Sequence, residues 1–149
     1  MKTTTFLFKI IITFFLLTSN VFASKSNHFD KGKQLFDKKE YEKSKIFFQR
    51  DIVFNPRSEK SYLYLAKIYN ENDNDYEQET NLLSVLLLNP KNEEAVYMLT
   101  ILKIKLSDYN EAKRLMEKFN LVCKDFCSKK AEMKKKFDKL DPKNAKDNN

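Results

Sequence analysis

The sequence predicts an all-α chain built from helix pairs stacked into an array, and three observations carry that prediction. Asn55-Pro56 and Asn89-Pro90 lie 34 residues apart, a spacing that marks repeating supersecondary units. Tyr41, Tyr76 and Tyr109 recur at 35 and 33 residues, which extends the period to both sides. The 149 residues include one Gly, three Pro and no Trp, which argues against hairpin-rich folds and Gly-loop nucleotide sites. With 42% hydrophobic and 33% charged residues, the chain is neither a disordered polymer nor a multi-span membrane protein.

Taken in order, residues 1–23 stand apart from the array. Lys2 and Lys9 precede the apolar run Ile10-Ile11-Ile12-Thr13-Phe14-Phe15-Leu16-Leu17, and Val21-Phe22-Ala23 puts small residues before a cleavage point. That is the layout of a secretory signal peptide cut after Ala23. The expected location is therefore exported, periplasmic or secreted, with an uncleaved N-terminal anchor as the alternative. The run is short for a span of about 20 residues. No Cys lies near the cleavage point, so a lipid-modified N-terminus is not expected. Loss of the leader lowers the net charge from +7 to +5. Residues 24–123 carry 17 basic and 16 acidic side chains, whereas 124–149 carry 9 Lys against 5 acids. The array is nearly neutral and the tail is basic; a nucleic-acid partner is not expected.

The first unit, about 25–58, pairs a helix over His28–Lys38 with one over Tyr41–Phe54. Ile46, Phe47, Phe48, Ile52 and Phe54 give the second helix its apolar face. Asp51 on that helix is expected to pair with a nearby Lys or Arg. The second unit, about 59–92, starts after Ser58 as N-cap and reaches Asn72. The polar turn Asn72-Asp73-Asn74-Asp75 should absorb the extra residue in the 35-residue Tyr spacing. Its second helix, Glu77 to Leu88, is apolar nearly all round and is expected in the middle of the array. In the third unit, 93–123, Asn92 and Asp108 cap the two helices, the second ending near Val122. Cys123–Leu140 reads as a last helix that covers the end of the array from 124 to 140 with Phe126, Ala131, Met133, Phe137 and Leu140. Residues 141–149 are polar and expected to be disordered. Pro56 and Pro90 each break the helix before them, and small residues at Gly32, Ala66 and Ala112 let helices approach closely.

Chemistry is sparse. His28, the only histidine, offers no metal cluster and no hydrolase triad, and it is expected on the surface. Neither enzymatic activity nor a cofactor or metal is expected. Cys123 and Cys127 form a C-x3-C pair, unlike redox or haem-attachment spacings. In an exported chain a disulfide between them is the favoured reading; two inert thiols or a soft-metal or redox site remain open.

The second unit resembles a known family. Tyr62, Leu65, Ala66 and Tyr69 keep the W-x2-L-G-x2-Y spacing of the tetratricopeptide repeat (TPR), followed by Gln78, Leu82 and a closing Pro90. The first unit supplies Gly32, Leu35, Ser44, Phe48 and Pro56 at the same offsets, with His28 and Lys31 at its opening positions. The third supplies Leu99, Ala112 and Met116, and departs at Val96, Thr100, Lys103 and Lys124. The chain is thus similar to a three-repeat TPR protein over 25–123. The resemblance implies a right-handed superhelical stack whose concave face binds a peptide or partner protein, as a scaffold or interaction module. At the family's groove positions stand Phe29, Leu63 and Tyr97 in one row, Lys33, Lys67 and Ile101 in a second, and Phe36, Asn70 and Ile104 in a third. Lys33 and Lys67 would hold a carboxylate of the ligand and Asn70 its backbone. The alternative function is an envelope-surface binder whose Lys129, Lys130, Lys134, Lys135 and Lys136 contact anionic lipid or polymer. The oligomeric state is left open.

Overall fold

The computed structural model describes residues 27–140; the expected leader, 1–23, and the polar tail, 141–149, lie outside the described residues. Seven α-helices follow one another: α1 (His28–Asp37), α2 (Tyr41–Phe54), α3 (Glu59–Glu71), α4 (Asp75–Leu88), α5 (Glu93–Lys105), α6 (Tyr109–Val122) and α7 (Lys130–Leu140). A 3-10 turn, Cys127–Lys129, precedes the last. The described chain is an all-α solenoid: α1 pairs with α2, α3 with α4 and α5 with α6. Successive pairs join through α2–α3 and α4–α5, and α7 lies against both α5 and α6.

The register is uniform. The second helices begin at Tyr41, Asp75 and Tyr109 and end at Phe54, Leu88 and Val122, each step being 34 residues. The expected extra residue at 72–75 is therefore absent. Tyr76 sits one position past the equivalent of Tyr41 and Tyr109 and is 78% exposed, so Asp75 is their structural counterpart. Each turn inside a pair is the same Schellman closure. Lys39, Asp73 and Ser107 take φ of 60°, 51° and 59°, a left-handed conformation that costs an L-residue roughly 1–2 kcal/mol. The amides of Glu40, Asn74 and Asp108 then donate to the carbonyls of Leu35, Tyr69 and Lys103, all at 2.9 Å, satisfying otherwise orphaned helix-end groups. With Lys, Asp and Ser at these places, no glycine marks the turns in the sequence.

Three apolar clusters run along the array. Phe48, Leu65 and Ile68 close the first. Leu63, Ala66, Leu82, Val85, Leu99 and Leu102 are among the residues of the second, and Val96, Phe119 and Met133 form the third. Gly32 is needed in the first: a Cβ there would lie 2.8 Å from the Phe48 ring. Across the same contact the Ser44 hydroxyl donates to the Gly32 carbonyl at 2.7 Å.

Caps and polar contacts match the expectations in part. Asn92 accepts from the Ala95 amide at 2.8 Å and Asp108 from the Glu111 amide at 3.3 Å. Asn74 accepts from the Glu77 amide, so α4 starts two residues before the expected Glu77. Ser58 makes no side-chain cap bond; its hydroxyl and that of Ser61 instead donate to the buried Asp51 carboxylate. Two hydroxyls, rather than only the expected Lys or Arg, thus serve that acid. His28 is half-buried, not free on the surface, because its ring stacks on Phe54 at 5.4 Å. The α4 helix is not buried all round: Leu82 and Val85 are covered, yet Leu83 and Leu87 face solvent. Only α3 and α5 pack heavily on α4, which leaves one side of it uncovered.

The last helix is shorter than the expected 123–140. At Cys123 the backbone turns extended (φ −65°, ψ 138°), and a disulfide joins Cys123 to Cys127 with Cα atoms 5.2 Å apart, within the range a bridge requires. The Glu93 carboxylate accepts from the Lys124 and Phe126 amides. Those bonds serve a non-helical segment and draw the Glu93 pKa below its usual value, the Lys124 amide contributing most. The equivalent Glu59, 34 residues earlier, accepts from Asn89 and Asn92 in the loop between α4 and α5. An acid at the first position of α3 and of α5 thereby ties down the loop that follows its own pair.

Candidate binding groove

The nine groove candidates share one face of α1, α3 and α5 by i, i+4, i+7 spacing, but the fold treats them differently. On α1, Phe29 and Phe36 are half-buried and Lys33 is exposed. Both phenylalanines meet Tyr64 of α3 edge-on, at 5.7 and 5.0 Å between ring centroids. Tyr64 in turn stacks on Phe48 at 5.0 Å, so an aromatic cluster is anchored on the core. Lys67 Nζ lies 4.8 Å from the Tyr64 ring centre, and Lys60 Nζ 5.9 Å from that of Phe29. Lys33 bonds Asp37 at 2.7 Å; that bond first, then Tyr64, holds its ammonium above the ordinary lysine pKa. Lys67 pairs with Glu94 of α5 at 2.9 Å, and Asn70 is exposed. Tyr64 was not among the residues expected here. Its position one step after Leu63 was the available signal, since a helical face is wide enough to hold both.

Two candidates belong to the core instead. Leu63 is 9% exposed within the second apolar cluster, and Ile104 is buried on α5. Leu63 packs against neighbouring helices and cannot contact a ligand without disrupting packing, whereas Ile104, though buried, forms part of the wall of a depression beside α7. Tyr97 and Ile101 are half-buried under α7, in the cluster closed by Met133 and Phe126. The Tyr97 hydroxyl donates to Glu132 Oε1 at 2.9 Å. Burial, and then that carboxylate, push the Tyr97 pKa up to about 12. The groove of the third pair is therefore occupied by α7, apart from a small depression where Ile101 and Ile104 meet Lys105, Lys136 and Lys139. The open part of the concave face is formed by α1 and α3: Phe29, Phe36 and Tyr64 with Lys33, Lys67 and Asn70 around them.

The basic face of α7 is partly neutralised. Lys129 pairs with Glu132 at 2.9 Å and Lys134 with Asp138 at 2.8 Å, while Lys136 approaches Glu132 at 3.9 Å. Among the described residues no group of three or more His, Cys, Asp or Glu is placed to hold a metal, and no helix is long and apolar enough to cross a membrane.

Solved structures of TPR domains share this fold. The first TPR domain of Spaghetti (RPAP3), bound to the HSP90 peptide SRMEEVD, superposes with a TM-score of 0.68 at 17% identity, covering 76% of this chain and 90% of that one. The second TPR domain of human RPAP3, in complex with the HSP70 peptide SGPTIEEVD, gives 0.63 at 21% identity over 72% and 92%. The TPR domain of Sgt2 from Aspergillus fumigatus gives 0.62 at 18% identity over 82% and 80%. At these identities the likeness is one of fold. No family model matches the sequence, and no curated protein matches it.

Proposed function

We propose that this chain is an exported interaction module that binds a peptide or partner protein on the concave face of its first two helix pairs. The observation that carries this reading is the cluster of Phe29, Phe36 and Tyr64, flanked by the Lys33 and Lys67 ammonium groups on the part of the face that α7 leaves open. Aromatic rings present apolar area at low entropic cost, and two ammonium groups beside them suit a ligand carboxylate. Two of the fold's relatives were solved with peptides rich in glutamate and ending in aspartate, which supports a peptide ligand here.

The test is selection of acidic peptides with a free C-terminus on the immobilised full chain, followed by titration of the peptides retained. Lys33→Ala with Lys67→Ala is expected to weaken binding at least tenfold, because a hydrogen bond to a charged group contributes about 1.5–3 kcal/mol. Circular dichroism should stay unchanged, as neither lysine is in the core. Affinities unaffected by the double substitution would overturn the reading.

Export belongs to the same proposal, supported by the leader pattern and by a disulfide of the kind that persists in oxidising compartments. Exported material is expected to begin at Ser24 and to show no thiol reactive without reductant. An N-terminal sequence starting at Met1, or labelling of Cys123 and Cys127 without reductant, would count against it.

A further inference from the structure

We infer that the depression between the end of α5 and α7 binds a free fatty acid, its alkyl chain on Ile101 and Ile104 and its carboxylate at Lys136 and Lys139. The depression has a volume of about 420 Å3 and is lined by these four residues and Lys105. Small-molecule sites usually measure about 300–1,000 Å3 and are mostly apolar, with a few polar groups that fix orientation. Here the two isoleucines supply the apolar floor, and lysine stems add methylene groups to such a wall while their heads stay in water. The three ammonium groups are not equivalent. Lys105 is held by Asp73 at 3.1 Å and Asp75 at 2.8 Å, so it shapes the wall and takes no ligand. Lys136 approaches Glu132 only at 3.9 Å, and Glu132 already pairs with Lys129 at 2.9 Å and accepts from Tyr97. Lys139 is exposed and makes no ion pair among the described residues.

The charge calls for an anion even with every acid counted in full. The α7 helix carries five lysines against Glu132 and Asp138, and Lys105 faces Asp73 and Asp75, so the rim keeps an excess of two positive charges. The wall also states what the body of the ligand lacks. Ile101 and Lys136 lie inside helices, where backbone groups are bonded to one another, and the Ile104 carbonyl accepts from the Ser107 amide at 3.1 Å. A peptide laid on this floor would find no partner for its own amides, and burying them unpaired is costly. An alkyl chain has no such groups, and its one polar end meets the lysines. The inference does not depend on the groove reading, which concerns α1 and α3.

The test is titration of the full chain, with isotope-labelled isoleucine methyl groups, by decanoate under NMR observation. The Ile101 and Ile104 methyls should shift and saturate, while those of Ile46, exposed on α2, stay in place. Each methylene that leaves water tightens binding by up to about fourfold. Hexanoate, octanoate and decanoate should therefore bind in rising order, each step at least about fourfold. Decylammonium, with the same chain and the opposite charge, should leave both methyls unmoved where decanoate saturates them. An exposed ion pair contributes up to about fivefold. Lys136→Glu with Lys139→Glu turns two attractions into repulsions, and should raise the half-saturating decanoate concentration at least about tenfold. Lys136→Gln with Lys139→Gln removes the charges alone and should raise it about fivefold. Both pairs are exposed substitutions that leave the fold intact, which circular dichroism checks. The inference fails if the two methyls do not shift, if Ile46 shifts equally, if decylammonium acts as decanoate does, or if both double variants bind decanoate unchanged. It fails equally if a peptide ending in isoleucine, or phosphatidylglycerol vesicles, moves these methyls as decanoate does.

Discussion

Phe48→Ala should lower the unfolding free energy by about 3–5 kcal/mol, the usual cost of emptying a fully buried aromatic site. The ring is completely covered and is the piece on which the first pair is assembled. It stacks on Tyr64, meets Phe29 at 5.7 Å and faces the bare Cα of Gly32. The cavity has little chance of collapsing, because Ser44 holds the α1 backbone by a hydrogen bond at Gly32. Urea unfolding would measure the change, and a loss below about 1 kcal/mol would mean that the site relaxes. Gly32→Ala probes the same contact from the other side. Its new methyl would meet the ring at 2.8 Å, and overpacking of this kind costs about 1–3 kcal/mol. Combining Gly32→Ala with Phe48→Leu should cost less than the sum of the two, since the smaller side chain vacates the space the methyl needs. The binding consequence follows directly: Tyr64 and Phe29 lose their backing, so peptide affinity should fall with stability in these variants.

Met133→Asp should detach α7 while the rest of the array stays folded. Met133 is 1% exposed and packs with Val96 and Phe119. Truncating such a side chain costs about 2–5 kcal/mol, and a carboxylate left without partners among apolar groups adds a further desolvation cost. An 11-residue helix does not persist alone in water. Hydrogen exchange should therefore show the α7 amides losing protection while those of α3 and α4 keep theirs. A second readout is the Tyr97 phenol, held up to about 12 by burial and by Glu132; once α7 has left, it should titrate near the ordinary value of about 10. The same linkage acts on the unaltered chain. Because docking raises this pKa, the contribution of Tyr97 is complete below about 10 and is lost as pH rises through about 12. Alkaline solution should thus loosen α7, whereas Met133→Asp loosens it at neutral pH. With α7 gone, Tyr97 and Ile101 become accessible, and the concave face extends to the third pair. Unchanged exchange in α7 would mean that the disulfide and Glu93 hold the segment without Met133.

Groove residues were less legible than helices, and the reason is visible on individual side chains. The spacing that puts Leu63 and Lys67 on one face of α3 is blind to the width of that face. Leu63 points between helices into the second apolar cluster, and Tyr64 next to it carries the open aromatic surface. Tyr97 and Ile101 occupy the corresponding face of α5, yet they lie under α7. Nothing local to α5 distinguishes them from Phe29 and Phe36; the difference is that, among the described residues, a following helix covers this face of α5 and none covers that of α1. Similarly, the leucines of α4 suggested a helix covered on all sides, while Leu87 stands in solvent.

The amino-acid sequence by itself determined the period, the pairing of helices and the caps at Asn92 and Asp108. These depend on contacts within about one repeat, where side-chain spacing and the breaks at Pro56 and Pro90 dictate the geometry. Only the tertiary structure decided the register at Asp75 rather than Tyr76, the left-handed turns at Lys39, Asp73 and Ser107, and the separation of Leu63 and Ile104 from the open groove. It also decided the break of the last helix at the Cys123–Cys127 bridge. The fate of Leu63 and Ile104 depends on what packs against them from another part of the chain, whereas the turns and the bridge are local closures that no residue type marks in advance. A hydrophobic pattern states that a face must be covered, but the covering partner is set by the stacking of the helices.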